Sequence, residues 1–119
     1  MTPSACYGAR MTTAAVLPLS FVAGAARFDE SQPGWALLAP GSDGGGARTF
    51  AGRITFDRAF NGTPVVQIGI TGFDIDNGDN ARLNVGITAV DGSGFDVELK
   101  TWWNTRLWSV DLNWIAIGH

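Results

Sequence analysis

Cysteine and histidine are almost absent from this sequence. Cys6 is the only cysteine, so the chain can form neither an intrachain disulfide nor a cysteine-based zinc site, and cysteine usage indicates nothing about the redox compartment. His119 is the only histidine, which argues against a nucleophile–histidine pair and against a histidine-ligated metal. Phosphate-binding loops of the GxGxxG, GxxxxGKS and GxxxxGKT kinds are missing too. We therefore expect neither a metal nor a cofactor.

Charged residues are also few. They make up 16% of the 119 residues, the formal net charge is −3, and the 8 basic residues are scattered along the chain. Because they form no basic stripe, a nucleic-acid partner is not expected. The apolar share of 45% argues against disorder, and the length suits one domain with one hydrophobic core.

The N-terminal residues are small and apolar, and they allow two interpretations. Met1–Ala25 could act as a secretory signal, because Ala23-Gly24-Ala25 has the small-x-small form of a signal-peptidase site; the protein would then be secreted or at the cell surface. Alternatively, a flexible start precedes a first strand over Ser20–Phe28, and the protein is cytoplasmic. The apolar run is too short to span a membrane, so membrane insertion is not expected. We therefore separate residues 1–19, a flexible segment or signal peptide, from a domain over residues 20–119.

Glycine and proline residues predict a long loop over Ser31–Ala47. After this loop, apolar and polar residues alternate along the chain. This period of two, broken by turns rich in glycine, asparagine and aspartate, predicts antiparallel strands. Regularly spaced strands without an amphipathic helix predict an all-β sandwich or barrel. The predicted strands are Arg53–Phe56, Val65–Asp74, Arg82–Val90, Phe95–Trp102 and Leu107–Ile117. The apolar residues expected to share one face of their strand are Val66, Ile68 and Ile70; Leu83, Val85, Ile87 and Ala89; Phe95, Val97 and Leu99; and Val110, Leu112, Trp114 and Ala116.

Tryptophan is the unusual residue of this sequence. Three of the five tryptophans cluster at Trp102, Trp103 and Trp108. The alternation places Trp102 on the polar face of its strand with Lys100, where a large apolar ring is poorly used unless something covers it. An indole suits the C–H face of a pyranose, whose hydroxyls bind carboxylates, amides and guanidinium groups such as that of Arg82. A subunit interface is the alternative explanation, because tryptophan is enriched there as well.

Two acidic patterns carry weaker signals. Asp96 and Glu98 lie two residues apart on one strand face, a spacing that a glycosidase pair can use, but a solvated polar face is the better explanation because Lys100 follows on the same flat surface. The segment Asp74–Asp79 is rich in acids but lacks the glycine and glutamate that a calcium loop requires at its sixth and twelfth positions. A tight turn is therefore expected there.

Six short motifs, in the same order along the chain, resemble the H-type lectin domain. The motifs are Thr63-Pro64-Val65-Val66, Ile70-Thr71-Gly72-Phe73-Asp74, Asn80-Ala81-Arg82, Gly94-Phe95, Thr101-Trp102-Trp103-Asn104-Thr105 and Asn113-Trp114-Ile115-Ala116-Ile117-Gly118. Pro33-Gly34-Trp35 and Arg53-Ile54-Thr55-Phe56 extend the similarity toward the N-terminus. The similarity then covers about Ser20 to Gly118. It depends on the order of the motifs, because no single motif is specific to the family.

The resemblance implies a β-sandwich of six antiparallel strands that assembles as a homotrimer. It also implies binding of galactose or N-acetylgalactosamine, without metal, in clefts between neighbouring subunits. By the resemblance, Arg82 bonds sugar hydroxyls from one subunit, and Trp102, Trp103 and Trp108 wall the pocket from the next. Asp43, the only acid of its loop, is the candidate for the acidic residue of family sites. Trp103 and Trp108 stand where family members often carry histidine and tyrosine, which makes the pocket more apolar.

The expected function is that of a non-enzymatic lectin. Trimers with three sites would bind glycans that end in galactose or N-acetylgalactosamine multivalently, as in agglutination or cell adhesion. Two alternatives stay open: a structural trimerisation module with its tryptophans sealed in the interface, and a glycoside hydrolase that uses Asp96 and Glu98. The sequence also leaves open whether trimers pair into hexamers.

Overall fold

Six antiparallel strands make up the fold in the computed structural model, which describes residues 18–38, 46–76, 78 and 80–119. The strands are β1 (Ser20–Asp29), β2 (Arg48–Thr55), β3 (Val65–Ile75), β4 (Asn84–Asp91), β5 (Gly94–Thr101) and β6 (Leu107–Gly118). They form two three-stranded sheets, β1-β6-β3 and β2-β5-β4. The predicted all-β sandwich of six antiparallel strands is therefore confirmed. Within these ranges no helix has the length and hydrophobicity of a membrane-spanning segment.

The core lies between the two sheets and is built on their central strands. In β5, the predicted inward residues Phe95, Val97 and Leu99 are completely buried. In β6, the predicted inward residues are buried as well, and Trp114 contacts Phe95 with the ring centroids 5.6 Å apart. The prediction is therefore confirmed for both strands. Their inward residues are buried because each strand is the central one of its sheet, with a neighbour on both sides.

The N-terminal apolar run contributes a complete strand. β1 pairs with β6 from Ser20 opposite Gly118 to Asp29 opposite Ser109, so the strand interpretation of Ser20–Phe28 is confirmed. The Ala23-Gly24-Ala25 motif lies in the middle of β1, and Gly24 faces the ring of Trp114. Cleavage after Ala25 would therefore remove six of the ten residues of β1, an edge strand of the first sheet.

The structure corrects the predictions for two strands, β2 and β4. β2 starts at Arg48 rather than Arg53, because Ala51 and Gly52 interrupt the visible apolar alternation without interrupting the pairing with β5. In β4, a register shift between Ile87 and Ala89 reverses the faces, so Ala89 is exposed. The partly buried core residue of that end of β4 is instead Val90. The shift is a β-bulge, which inserts one residue and turns the following side chains over.

Strand ends and the burial of Ile70 also differ from expectation. Arg82 precedes β4 and Trp102 follows β5, although both were predicted inside strands. Ile70 lies opposite buried Leu112 but remains 46% exposed, because β3 is an edge strand and its register shifts between Ile70 and Gly72.

Three connecting segments meet at one end of the sandwich. The Leu37 carbonyl, in the segment after β1, accepts the Leu107 N–H at the start of β6 at 2.9 Å. Thr101, at the end of β5, donates its hydroxyl to the Arg82 carbonyl before β4 at 2.6 Å. This end of the molecule therefore brings together most of the residues that the sequence singles out.

Candidate functional site

A tight turn between β5 and β6 presents two of the predicted tryptophans. The Thr105 N–H donates to the Trp102 carbonyl at 3.4 Å, which closes the turn, and Thr105 itself is buried. Trp103 has a φ of 59°, a left-handed conformation that costs a bulky residue about 1–3 kcal/mol. Trp102 and Trp103 remain 38% and 47% exposed. The prediction that the Trp102 ring lies outside the core is therefore confirmed.

Trp102 lies on the outer surface of the second sheet. It borders an open depression of about 420 Å³ with Ala47, Asn84 and Lys100. Asn84 and Lys100 are paired across β4 and β5, so this surface continues the polar face predicted for the strand. A flat apolar ring beside amide and ammonium groups can cover the C–H face of a sugar while its hydroxyls reach polar partners.

Arg82 lies against the turn that carries the tryptophans. Its Nη1 donates to the Asn80 carbonyl at 3.0 Å, to Asn104 Oδ1 at 3.3 Å and to Thr105 Oγ1 at 3.4 Å. The structure thus brings Arg82 and the Trp102–Thr105 turn together within one chain. The resemblance instead implied that Arg82 and the tryptophans meet across a subunit boundary. All hydrogen bonds that the Arg82 side chain makes within the described residues start from Nη1. Its Nε and Nη2 donors therefore have no partner in that part of the chain.

A small polar cleft beside Arg82 was not expected from the sequence. Its volume is about 140 Å³, and it is lined by Asp76, Gly78, Asn80, Asn104 and Thr105. Asp76 Oδ1 accepts the Gly78 N–H at 3.0 Å, the tight-turn geometry expected for this acidic segment. Carboxylate, amide and hydroxyl groups in one cleft can bind a ligand rich in hydroxyls. Among the described residues, no three His, Cys, Asp or Glu residues form a group that could hold a metal ion.

Trp108 has different neighbours. The Arg106 guanidinium carbon lies 5.3 Å from the centroid of its ring, a cation–π distance, and its carbonyl accepts the Glu30 N–H at 3.0 Å. Arg106 in turn donates to the Leu38 carbonyl at 3.0 Å. These contacts attach Trp108 to the segment after β1, not to Arg82. Asp43, the acid predicted from the resemblance, lies outside the described residues.

Arg48 is the main residue that the sequence did not point to. Within the part of the chain that the structure describes, its guanidinium donates to the carbonyl oxygens of Leu37, Trp103 and Thr105. Burial lowers the pKa of Arg48, because the charged form is partly removed from water. No motif contains this residue. The only indication in the sequence is that Arg48 lies two residues before Phe50, so the two side chains share one face of the strand.

The two carboxylates weighed as a glycosidase pair lie on the outer face of the second sheet. Asp96 forms an ion pair with Arg53, 3.1 Å from Oδ1 to Nη1, and Arg53 also binds Asp91 at 3.0 Å. Hydrogen bonds from Ser93, together with Arg53, lower the pKa of Asp91 to about 2. This network ties the β4–β5 turn to β2 and holds one of the two candidate acids in a structural contact.

The sequence of residues 51–117 matches the family profile described as the H-type lectin domain. The chain belongs to the H-type lectin domain family. The matched residues run from β2 to β6 and include Arg82 and the Trp102–Thr105 turn. The resemblance drawn from the six motifs is therefore confirmed.

A curated relative and two solved structures are similar to this H-type lectin domain. A protein of Fuscovulum blasticum described as "ATP synthase subunits region ORF 7" is 36% identical over 75 residues, which are 63% of this chain and 65% of the relative. Wild-type discoidin II from Dictyostelium discoideum superposes with a TM-score of 0.67 at 25% identity, over 84% of this chain and 36% of that one. Recombinant discoidin II superposes with a TM-score of 0.68 at 24% identity, over 91% and 40%, and shows the shared fold. The chain thus spans less than two thirds of the curated relative and less than half of the discoidin II chains.

Proposed function

We propose that this H-type lectin domain is a non-enzymatic carbohydrate-binding protein that recognises sugars of the galactose and N-acetylgalactosamine type. The observation that carries the proposal is the exposed Trp102 indole on the turn to which the Arg82 guanidinium is hydrogen-bonded. A galactose-type sugar has an axial 4-hydroxyl, which leaves one continuous C–H face for an indole. Its hydroxyl edge then requires directional donors and acceptors.

The polar groups beside the turn meet that requirement. Arg82 keeps Nε and Nη2 for sugar hydroxyls while Nη1 holds the turn through Asn104 and Thr105. The cleft next to it offers the Asp76 carboxylate and the Asn80 and Asn104 groups as further partners. Trp103 adds a second exposed ring, and Trp108 would complete the wall from a neighbouring subunit. Asp43 stays a candidate for the axial hydroxyl.

We further propose a homotrimer with one such site at each subunit boundary. The support is an apolar row across the outer face of the first sheet, where Phe21, Ile117 and Val65 lie side by side on three strands. Phe21 is 65% and Val65 64% exposed, an unusual arrangement for a face left in water. A second copy of the chain is the occupant that suits this row. Three weak sites on one trimer would give the avidity that agglutination or adhesion needs.

Glycan binding by the full chain tests the proposal. A glycan array should show saturable binding to glycans that end in galactose or N-acetylgalactosamine, with weaker binding to glucose, and those sugars should shift the tryptophan fluorescence. The Arg82→Ala variant should bind at least tenfold more weakly, since a hydrogen bond to a charged group contributes about 1.5–3 kcal/mol. Arg58→Ala, an exposed arginine between β2 and β3, is the matched control and should bind as the wild type does.

A structural trimerisation module is the second candidate, and the same apolar row favours it. It predicts a stable trimer without saturable binding to any glycan on the array. Unchanged affinity of Arg82→Ala would instead leave the lectin proposal standing but remove Arg82 from its site.

A further inference from the structure

One partly buried arginine, Arg48, connects the tryptophan turn to the rest of the sandwich. Arg48 Nη2 donates to two carbonyl oxygens of the turn region, that of Trp103 at 2.9 Å and that of Thr105 at 2.8 Å. Its Nη1 donates to the Leu37 carbonyl at 3.3 Å, and the same carbonyl accepts the Leu107 N–H at 2.9 Å. A single side chain thus links the turn to the segment after β1 and to the start of β6.

The position of Arg48 in its strand explains this reach. It is the first residue of β2, paired with Thr101, and it has the same phase as Phe50 and Ile54, which are both buried. Its side chain therefore enters the space between the two sheets at their open end. A guanidinium placed there must be hydrogen-bonded, because burying an unsatisfied charge is costly, and carbonyl oxygens provide the acceptors.

The turn needs such a restraint because of its backbone. Trp103 has a φ of 59°, which is unfavourable for a bulky side chain and persists only where the surroundings determine it. The Trp103 carbonyl, which Arg48 holds, belongs to the residue with this conformation. If the carbonyl were released, the turn could relax and both exposed rings would change direction.

We infer that Arg48 is a positioning residue, which holds the Trp102–Thr105 turn in the conformation that presents Trp102 and Trp103 to a sugar. The inference rests on the proposed function. Arginine is required because its planar fork donates from separate nitrogens to acceptors on both sides, whereas the ammonium of lysine donates from one point. Arg48 touches no sugar in this role and acts through the backbone of the turn.

The test compares Arg48→Lys with a matched arginine of the same strand. Arg53→Lys keeps the strand and the charge, and it alters contacts on the outer face of the sheet: the ion pairs with Asp91 and Asp96 and the hydrogen bond to Ser93. Two properties of the full chain are measured: affinity for the strongest galactoside of the glycan array, and hydrogen exchange of the Thr105 and Leu107 amides. Arg48→Lys should bind at least tenfold more weakly and exchange these amides at least tenfold faster, while Arg53→Lys should match the wild type in both.

Each other result is informative. Wild-type affinity in Arg48→Lys, or unchanged exchange of the turn amides, would overturn the inference. If the wild type binds no glycan, the proposed function fails, and the exchange comparison still decides whether Arg48 holds the turn. If Arg48→Lys does not fold, ¹⁵N spectra of the wild type replace it: restricted, individually resolved Nη protons of Arg48 are expected, and freely averaged ones would contradict the inference.

Discussion

Two tryptophans of this chain show how the surroundings decide what one side chain does. Trp114 lies in β6 with 9% of its surface exposed, and its ring contacts those of Phe56 and Phe95 at 5.5 and 5.6 Å. Trp102 lies beyond the end of β5, 38% exposed beside Lys100. The first ring contributes to the free energy of folding through burial, whereas the second is available to a ligand.

Removing each ring should therefore have opposite consequences. Trp102→Ala should abolish sugar binding and leave the melting temperature within a few degrees of the wild type, because the ring lies outside the hydrophobic core. Trp114→Ala should cost about 3–5 kcal/mol of stability through the cavity it leaves. Thermal unfolding and fluorescence-independent binding on a glycan array measure the two effects. A Trp102→Ala protein that melts without cooperativity would mean that this ring supports the core.

At the scale of the strands, close contact between the sheets depends on a residue without a side chain. A Cβ atom on Gly52 of β2 would lie 2.5 Å from Cε1 of Phe28 of β1, so the ring occupies the space that glycine leaves open. Gly86 of β4 has no atom within 4 Å of the same position. Both glycines lie in edge strands of the second sheet, but only Gly52 is packed against a side chain of the first sheet.

Gly52→Ala should destabilise the protein by about 1–3 kcal/mol, because the added methyl group overpacks the core against Phe28. Gly86→Ala should change the free energy of unfolding by less than about 1 kcal/mol, since a Cβ meets open space there. Urea unfolding of both variants provides the comparison. Equal stability of the two would show that the ring of Phe28 moves aside without cost.

We expect the β4–β5 turn to make the stability of the sandwich sensitive to acid. Asp91 Oδ1 accepts the Ser93 N–H at 2.8 Å and its hydroxyl at 2.7 Å, and Arg53 lies 3.0 Å away. These contacts lower the pKa of Asp91 to about 2 from its ordinary value of 3.8. The turn is therefore held by a carboxylate that stays ionised in the folded chain when it is already protonated in the unfolded one.

The sign of the pH dependence follows from this difference. The contribution of Asp91 is fully present above about pH 4 and is lost as the pH falls toward about 2, because the unfolded state takes up the proton first. Asp91→Asn should therefore flatten the fall of the melting temperature between pH 4 and pH 2. Asp57→Asn, at an exposed carboxylate that forms no ion pair with the described residues, should keep the wild-type slope. An unchanged slope in Asp91→Asn would contradict the role of this turn.

For the whole molecule, the two ends of the first sheet differ in polarity. Its outer face begins with the apolar row of Phe21, Ile117 and Val65 and ends where Arg27 pairs with Asp111 at 3.0 Å. A hydrogen bond to the Asp111 carboxylate raises the pKa of Arg27. A trimer that covers the apolar end would leave this charged end at its rim.

Assembly should therefore depend on the apolar row. Phe21→Ser should shift the sedimentation mass from three chains toward one as the protein is diluted. Phe73→Ser replaces a phenylalanine that is 58% exposed near the other end of β3, and it should leave the mass at three chains. A wild-type chain that sediments as a monomer at all concentrations would refute the trimer, and with it the shared sites.

Sequence patterns alone were enough to predict most strands and much of the core. Alternation with period two identified β5 and β6 and their inward residues. Along the whole length of each of these central strands, one face lies against the core and the other faces outward. Motif order was enough to give the family, and the polar phase of Trp102 was enough to place its ring outside the core.

Which distant groups meet depends on how the two sheets pack against each other. The bulge in β4 turned Ala89 out and Val90 in, since an inserted residue is invisible to a pattern of fixed period. The Arg82 contacts with Asn104 and Thr105, and those of Arg48 with the carbonyls of the turn, join segments that lie far apart in the chain. Hydrogen bonds to backbone oxygens leave no residue pattern, because every residue carries the acceptor. The restraint on the tryptophan turn therefore became visible only once the two sheets had been packed together.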